Sequence, residues 1–351
     1  MTSKMLPLFS DSSRASGDPG PRSKKSERTL LDFRLPGNER RRIRPSETSS
    51  LAPSYAELAV TTNFSFLRGA SHPWEMVVAA DVLGLAAVGI TDHNSFAGVV
   101  RAYDAWKTIE KKKTEEAEQT GAPKKNTVKL LVGTRLVTID GFEVLAYSTD
   151  RDAYGRLCRL LTAENRKIKK SEKGECLLTF EDILAAGEGQ MLIALPPEEL
   201  SPAFVKRLAA LAHAAPERVS LAGMHRYRGD EPRRLGLLDQ LGQRVGTPLV
   251  AVNDVHYHDP ERRPLADVLT CIREKCTIAN AGFRLAVNEE SHLKPPAEMA
   301  RLFKKFPDAI TRTLKIADAC SFSLDELKYE YPDEPVPPGK TAQQHLEDIQ
   351  I

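Results

Sequence analysis

The sequence predicts an α/β protein: a distorted seven-stranded (β/α) barrel with a small helical carboxyl-terminal extension and a disordered, basic amino-terminal tail. From residue 55 onward, seven short apolar runs alternate with longer amphipathic runs, which is typical of repeated βα units. The length of 351 residues accommodates a barrel. No glycine-rich dinucleotide fingerprint opens any of these units, which disfavours a doubly wound nucleotide-binding sheet.

The predicted strands follow one another along the chain and are separated by helix signals. They span residues 55–60, 86–91, 128–133, 142–147, 190–195, 219–224 and 248–252. Ser71 or His72, Ser201 and Asp230 each stand before a first helical turn that contains proline, which is a typical helix start. Repeated βα units imply a mainly parallel sheet.

Residues 1–52 differ from the rest of the chain in charge and polarity. The first fifty residues carry eleven Lys/Arg and six Asp/Glu, a net charge of +5, whereas the whole chain has +2. Ten serines and few apolar residues predict disorder in this tail. The predicted boundaries are therefore 1–52 for the tail, 53–290 for the barrel and 291–351 for the helical extension.

The composition excludes several classes of protein. With 41% hydrophobic residues and a mean hydropathy of -0.36, the chain is neither membrane-spanning, collagenous nor wholly disordered. Its five cysteines form no CxxC pair, and an odd number suits free thiols in a reducing compartment. The apolar cluster near the start of the tail is too short for a secretory signal, so we expect a cytoplasmic protein with no membrane partner.

Polar side chains stand where three predicted strands end. Asp92-His93 follows the second strand, His225-Arg226 the sixth and Asp254-Val255-His256 the seventh. Because the loops after barrel strands meet at one rim, these carboxylates and imidazoles could bind Zn, Mn or Fe. The same residue types also cap helices and form hydrogen bonds in cores, and the spacing alone leaves both interpretations open.

Several long motifs resemble the bacterial error-prone DNA polymerases, the damage-inducible relatives of the replicative polymerase alpha subunit in the C family. They include YAELAVTTNFSFLRGASHP (55–73), GITDHNS (89–95), DRDAYGRLCRLLT (150–162), PERRPLADVLTCIR (260–273), HLKPPAEM (292–299) and DELKYEYPDEPVPPGKT (325–341). The resemblance covers nearly everything after the tail. It implies a PHP (polymerase and histidinol phosphatase) domain, whose distorted seven-stranded βα barrel agrees with the strand pattern.

The resemblance also implies which residues stand at the site of the PHP superfamily. In its metal-binding members the relevant strand ends carry His-x-His, Thr-Asp-His, Gly-x-Glu and Asp-x-His. Four positions match these motifs, namely Asp92, His93, Asp254 and His256, whereas three are replaced, namely Ala59, Thr61 and Arg135. Alanine supplies no ligand and an arginine cation repels a divalent ion, so we expect no tightly bound metal, no catalysis and no 3′ exonuclease activity at this site.

Without an ion, buried carboxylates at the rim need another cation. The arginine at the replaced glutamate position can supply it. We therefore expect the Arg135 guanidinium to lie within salt-bridge distance of Asp92 or Asp254.

The resemblance implies that the chain is the amino-terminal PHP-domain part of an error-prone translesion DNA polymerase, a nucleotidyltransferase of DNA replication and repair after DNA damage. DNA and deoxynucleotides are the substrates of the full-length family, and Mg²⁺ is its metal. The family's catalytic carboxylates lie well downstream of the motif at 325–341, and this chain stops ten residues after it. We therefore expect a truncated product or a separately encoded fragment that does not extend primed DNA.

Two other functions remain open. One is a stand-alone metal-dependent phosphoesterase that binds Zn or Mn through Asp92, His93, Asp254 and His256. The other is a non-catalytic structural module that binds a polymerase or a mutagenesis accessory protein.

The tail has one further motif. Leu6, Leu8 and Phe9 resemble the Gln-Leu-x-Leu-Phe peptides with which bacterial polymerases bind the sliding clamp, although the glutamine is absent. An incidental apolar cluster near the start of the chain is the alternative.

Overall fold

The computed structural model describes residues 53–167, 176–328 and 336–349. The tail predicted at 1–52, with its clamp-like residues Leu6, Leu8 and Phe9, lies outside the described residues. In the part that the structure describes, a curled seven-stranded sheet is surrounded by helices. No helix in that part is long and apolar enough to cross a membrane.

All seven predicted strands are present, so the predicted fold class is confirmed. They are β1 (Ala56–Val60), β2 (Ala87–His93), β3 (Lys129–Val137), β4 (Glu143–Ser148), β5 (Gln190–Leu195), β6 (Val219–Gly223) and β7 (Leu249–Ala251). Their order in the sheet equals their order along the chain. The third strand is longer than predicted, and it therefore includes Arg135.

The sheet is parallel except around β4, which runs antiparallel to both of its neighbours. The link between β3 and β4 is a short turn, in which Thr138 N donates to Phe142 O at 3.0 Å and Gly141 has φ +82°. A parallel pair needs a crossover of a dozen or more residues, so this short link dictates a hairpin. The prediction of a mainly parallel sheet holds for the other four strand pairs.

The sheet closes at the carboxyl ends of its strands. Immediately after β7, Val255 forms a parallel bridge with Val60 at the end of β1. Val255 N donates to Ala59 O at 2.7 Å, and Thr61 N donates to Val255 O at 2.8 Å. The first and last strands are thereby joined at the rim that holds the candidate site.

The helices in the described residues cover the sheet and extend beyond it. They are α1 (Pro73–Val82), α2 (Val99–Thr120), α3 (Arg151–Lys167), α4 (Phe180–Ala186), α5 (Pro202–Ala214), α6 (Glu231–Val245), α7 (Arg263–Arg273), α8 (Ile278–Ala281), α9 (Pro296–Leu302), α10 (Pro307–Ala319) and α11 (Ala342–Ile349). The predicted helix starts are confirmed: His72, Ser201 and Asp230 are the N-cap residues of α1, α5 and α6.

Side chains from the two faces of the sheet enter different clusters. Along β4, Val144 and Ala146 join the large cluster shared with the surrounding helices, whereas Leu145 and Tyr147 join a second cluster. This alternation follows from the two-residue period of a strand. The second cluster includes Ile316 of α10.

Helix α10, in the predicted carboxyl-terminal extension, lies at the amino-terminal ends of the strands. Ala56 N donates to Thr313 Oγ1 at 3.1 Å, Lys129 Nζ to Ala317 O at 2.7 Å, and Arg312 Nη1 to Leu249 O at 2.7 Å. These contacts reach the starts of β1, β3 and β7. The extension therefore closes the end of the barrel opposite the rim.

Candidate functional site

The carboxyl ends of the strands bring the predicted site positions to one rim. Asp92 and His93, at the end of β2, pair in register with Thr134 and Arg135 of β3. The bridge between Val60 and Val255 places the end of β1 beside the turn after β7. The retained and the replaced motif positions therefore share the rim.

Arg135 is the central cation of the rim and is only 9% exposed. Its Nη1 donates to Asp254 Oδ1 at 2.8 Å, and its Nε donates to Glu143 Oε2 at 2.7 Å. Burial by itself would lower the pKa of Arg135, but the carboxylates of Asp254 and Glu143 reverse this and raise it. The expected ion pair is therefore present with Asp254, and the guanidinium is permanently charged.

Asp254 is paired with cations on both carboxylate oxygens. Besides the bond from Arg135 to Oδ1, Arg226 Nη2 donates to Oδ2 at 3.0 Å. Burial opposes ionisation of Asp254, but Arg135, His256 and Arg226 hold its pKa well below the usual range. Its backbone has φ +50°, a left-handed conformation that aspartate tolerates better than most residues.

Asp92 has a different role from Asp254. Its Oδ1 accepts hydrogen bonds from Thr62 N at 2.9 Å, Thr62 Oγ1 at 3.0 Å and Ser65 Oγ at 2.7 Å. Thr62 Oγ1 also approaches Oδ2 to 2.9 Å, and Gly98 packs so closely that a Cβ there would collide with Oδ2. Burial raises the pKa of Asp92, although these hydrogen bonds oppose the shift. The carboxylate thus fixes the loop after β1, and hydroxyls rather than Arg135 satisfy it.

The two histidines of the rim differ in their electrostatic surroundings. Burial lowers the pKa of His93 to about 2, and the nearby cations Arg135 and Arg68 lower it further, so its imidazole is neutral at pH 7. His256 Nε2 lies 3.7 Å from Asp254 Oδ1, and this buried nitrogen has no hydrogen-bond partner among the described residues. In the described part of the chain, neither imidazole forms a short bond to a carboxylate, which is one of the partners that commonly orient a metal-binding histidine.

The replaced positions at the end of β1 also lack ligand chemistry. Ala59 is buried and ends in a methyl group. Thr61 is 1% exposed, and its hydroxyl has no hydrogen-bond partner among the described residues. Across residues 53–167, 176–328 and 336–349, no three His, Cys, Asp or Glu side chains are grouped so that they could hold a metal ion.

The residues around the rim therefore do not fit the metal that the PHP superfamily implies. Both oxygens of Asp254 bind guanidinium groups, and the oxygens of Asp92 bind hydroxyl and amide donors. A divalent ion near Asp254 would also meet the positive charge of Arg135. At an effective dielectric near 20, two unit charges about 4 Å apart interact by about 4 kcal/mol, and a divalent ion doubles this.

Sequence reasoning missed two acidic residues that define the electrostatics of the rim. Glu143 of β4 stands two residues from Leu145, the register partner of Arg135, so it can reach the same guanidinium. The pairing of Arg135 and Glu143 across a short hairpin was a usable signal in the sequence.

Glu57 is the second missed residue, and it is 1% exposed on β1. It accepts hydrogen bonds from Tyr55 Oη at 2.7 Å, Ala59 N at 2.9 Å and Asn253 N at 3.1 Å. Burial raises its pKa to about 7 despite these bonds, with a further contribution from Asp254. A glutamate inside the apolar run YAELAV was the signal for such a buried acid.

Comparison with known proteins agrees with this barrel. The PHP domain profile matches residues 57–212, which places the chain among PHP-domain proteins. Error-prone DNA polymerase of Bradyrhizobium diazoefficiens is 52% identical over 301 residues, which cover 85% of this chain and 25% of that protein. The enzyme of the same name from Caulobacter vibrioides is 48% identical over 298 residues, which cover 85% of this chain and 26% of that protein.

Over most of its described length the chain is similar to error-prone DNA polymerases, and the matched part includes a PHP domain. It spans about a quarter of the length of the curated relatives that it matches. Among solved structures, a putative metal-dependent phosphoesterase from Bifidobacterium adolescentis is 18% identical, with a TM-score of 0.39 over 58% of this chain and 89% of that chain. At this level of similarity, nothing follows about the chemistry of the rim.

Proposed function

We propose that the chain serves as the PHP-domain portion of an error-prone DNA polymerase that copies damaged DNA in the cytoplasm. The support is identity of 52% and 48% to two error-prone DNA polymerases over 85% of the chain. Because the chain spans about a quarter of these relatives, DNA synthesis, DNA and deoxynucleotide binding and the use of Mg²⁺ belong to the whole polymerase. Its roles in translesion synthesis, DNA repair and damage-induced mutagenesis belong to the same proposal.

Within that polymerase, we propose that the barrel is a non-catalytic structural unit. The observation that carries this proposal is the position of Arg135, which binds both Asp254 and Glu143 at the strand ends. The guanidinium supplies the positive charge that a metal supplies elsewhere, but unlike a metal ion it cannot coordinate and activate a water molecule. The barrel would then support the polymerase structurally and catalyse no reaction itself.

A stand-alone metal-dependent phosphoesterase is the competing function. It would need Asp92, His93, Asp254 and His256 as ligands for Zn or Mn, yet both carboxylates are engaged by other partners. Elemental analysis of the purified chain after dialysis, together with hydrolysis of p-nitrophenyl phosphate and bis-p-nitrophenyl phosphate with added Mn²⁺ or Zn²⁺, tests this alternative. We expect neither stoichiometric metal nor metal-dependent hydrolysis. Either finding would favour the phosphoesterase.

The polymerase role is tested in the organism that encodes the chain. Deletion of the codons for residues 53–328 should abolish ultraviolet-induced mutation to rifampicin resistance, because the barrel supports the polymerase that produces these mutations. The spontaneous mutation frequency serves as the control, and the intact gene should restore the induced response. An unchanged induced frequency would exclude the proposed role.

Two further proposals concern protein partners of the chain. Leu6, Leu8 and Phe9 are proposed to bind the apolar groove of a sliding clamp, and mutagenesis accessory proteins are proposed as further partners. A clamp pull-down with Leu8→Ala and Phe9→Ala, compared with the parent chain, tests the first of these. Equal recovery of the clamp by both proteins would contradict it.

A further inference from the structure

The carboxyl end of α7 brings two cysteines together. Helix α7 ends at Arg273, and Lys275, two residues further on, has the left-handed conformation at φ +52°. Cys276 N donates to Cys271 O at 2.9 Å, and Lys275 N donates to Ile272 O at 3.3 Å. These are the two hydrogen bonds of a Schellman motif, which places the side chains of its first and last residues side by side.

The first and last residues of this motif are Cys271 and Cys276, and their thiols lie close enough to interact electrostatically. Cys271 is 5% exposed, whereas Cys276 is partly exposed, so solvent reaches the pair from the side of Cys276. Both are free thiols in the structure. Two other cysteines have different surroundings: Cys158 lies beside Tyr154, and Cys320 is buried in the second core cluster.

We propose that Cys271 and Cys276 form a reversible thiol–disulfide pair that is oxidised by peroxide. The Cys276 sulfur attacks one oxygen of hydrogen peroxide, the O–O bond breaks, and a sulfenic acid and one water are formed. The Cys271 sulfur then attacks the Cys276 sulfur, the S–O bond breaks, and a second water leaves with the remaining thiol proton. In total, two thiols and one peroxide give one disulfide and two waters.

The different exposure of the two cysteines assigns the order of these steps. Peroxide reaches the partly exposed Cys276 first, and Cys271 is already in contact to resolve the sulfenic acid before further oxidation. Burial raises the pKa of the Cys271 thiol, and the neighbouring Cys276 thiol raises it further, which makes Cys271 the slower thiol toward an external oxidant. A thiol reductant reverses the reaction.

The oxidised pair would fix a turn that contacts the rim. Arg273, between the two cysteines, donates from Nη1 to Leu67 O at 2.9 Å. Leu67 belongs to the same loop as Thr62 and Ser65, which hold Asp92. The disulfide would therefore close the carboxyl end of α7 covalently, next to the loop that orders this side of the rim.

A purely structural role is the alternative. The Schellman motif commonly brings two apolar side chains together at these positions, and a buried cysteine behaves as a small apolar group. In that case the contact would pack the turn without any exchange chemistry. The two roles predict different products after mild oxidation.

Peptide mapping separates these outcomes, because trypsin cleaves after Arg273 and Lys275, which lie between the cysteines. The purified 351-residue chain is treated with one equivalent of hydrogen peroxide, alkylated with iodoacetamide and digested without reductant. We expect mass spectrometry to find peptide 263–273 joined to peptide 276–284 as the main disulfide product, and dithiothreitol to separate the two peptides.

The controls use single substitutions in the same protein. Cys276→Ser should abolish the linked peptides, whereas Cys158→Ser should leave their yield unchanged. The proposal is overturned if both cysteines remain alkylatable after peroxide, if Cys276 accumulates as sulfinic acid without the link, or if a different cysteine pair gives the main product. The measurement does not involve polymerase function, so its failure would leave the proposed function standing.

Discussion

Replacing Arg135 with alanine tests whether its guanidinium stabilises the rim by pairing with the buried carboxylate of Asp254. The substitution removes the hydrogen bond to Asp254 at 2.8 Å and that to Glu143 at 2.7 Å. The Glu143 side chain is 31% exposed and can be rehydrated, whereas the Asp254 side chain is 11% exposed and remains buried beside Arg226. The loss of stability should therefore come mainly from the unpaired charge on Asp254.

The magnitude follows from the geometry of this pair. Removing one partner of a buried ion pair costs roughly 3 to 5 kcal/mol, because the other charge stays buried without compensation. Arg226 still binds Asp254 Oδ2 at 3.0 Å, which limits the loss. We therefore expect Arg135→Ala to lower the free energy of unfolding at pH 7 by about 3 kcal/mol, at the lower end of that range.

Urea denaturation followed by circular dichroism measures this change, and Arg301→Ala is the matched control. Arg301 pairs with Glu298 on the surface, with a side chain that is 62% exposed, so its removal should cost far less stability than the removal of Arg135. Combining Arg135→Gln with Asp254→Asn should cost less than the sum of the single changes, because the double variant leaves no unpaired charge between these two positions. If Arg135→Ala unfolds at the same urea concentration as Arg301→Ala, the guanidinium does not stabilise the rim.

Three further predictions concern Glu57, the three replaced metal-site positions and Ser65. Burial raises the pKa of Glu57 to about 7, so between pH 4.5 and pH 7 its carboxyl group is protonated in the folded state and ionised in the unfolded state. The free energy of unfolding should therefore fall by about 3 kcal/mol as the pH rises through this range. Glu57→Gln should remove this slope in urea titrations at several pH values, and an unchanged slope would assign it to other groups. The variant A59H/T61H/R135E restores the ligands of the metal-binding PHP proteins at all three replaced positions. Elemental analysis should find stoichiometric Zn²⁺ or Mn²⁺ in this variant and none in the parent. Ser65→Ala should cost about 1 to 3 kcal/mol because Asp92 loses a buried donor, and a cost near zero would show that water replaces it.

Much of the fold could be predicted from the sequence because its signals are local. Apolar runs of strand length, and the N-cap residues His72, Ser201 and Asp230, report on the segments in which they stand. The reversal of β4 and the placement of α10 across the strand starts depend on contacts between distant segments. The contact between Ala56 and Thr313, for example, joins residues that no sequence period relates.

The candidate site shows the same division between local and distant information. A resemblance in sequence motifs identifies Asp92 and Asp254 as equivalent carboxylates at two strand ends, but it does not show which donors surround each of them. The structure assigns Asp254 to Arg135 and Arg226, and Asp92 to the hydroxyls of Thr62 and Ser65. The expectation that either aspartate could pair with Arg135 is therefore resolved in favour of Asp254.

This difference gives each aspartate of the partly retained metal-site motif a role that needs no metal. Asp92 anchors the loop after β1 through Thr62 and Ser65, so removing its carboxylate would release that loop whether or not an ion were present. Asp254 would be a costly buried charge by itself, and Arg135 compensates it. Each aspartate thus has a structural role that does not require an ion, and the presence of Thr-Asp-His and Asp-x-His in such a barrel does not by itself indicate metal-dependent chemistry. Whether such a barrel can bind a metal ion depends on the residue at the glutamate position of the third motif. A carboxylate there would add a ligand, whereas Arg135 adds a competing cation.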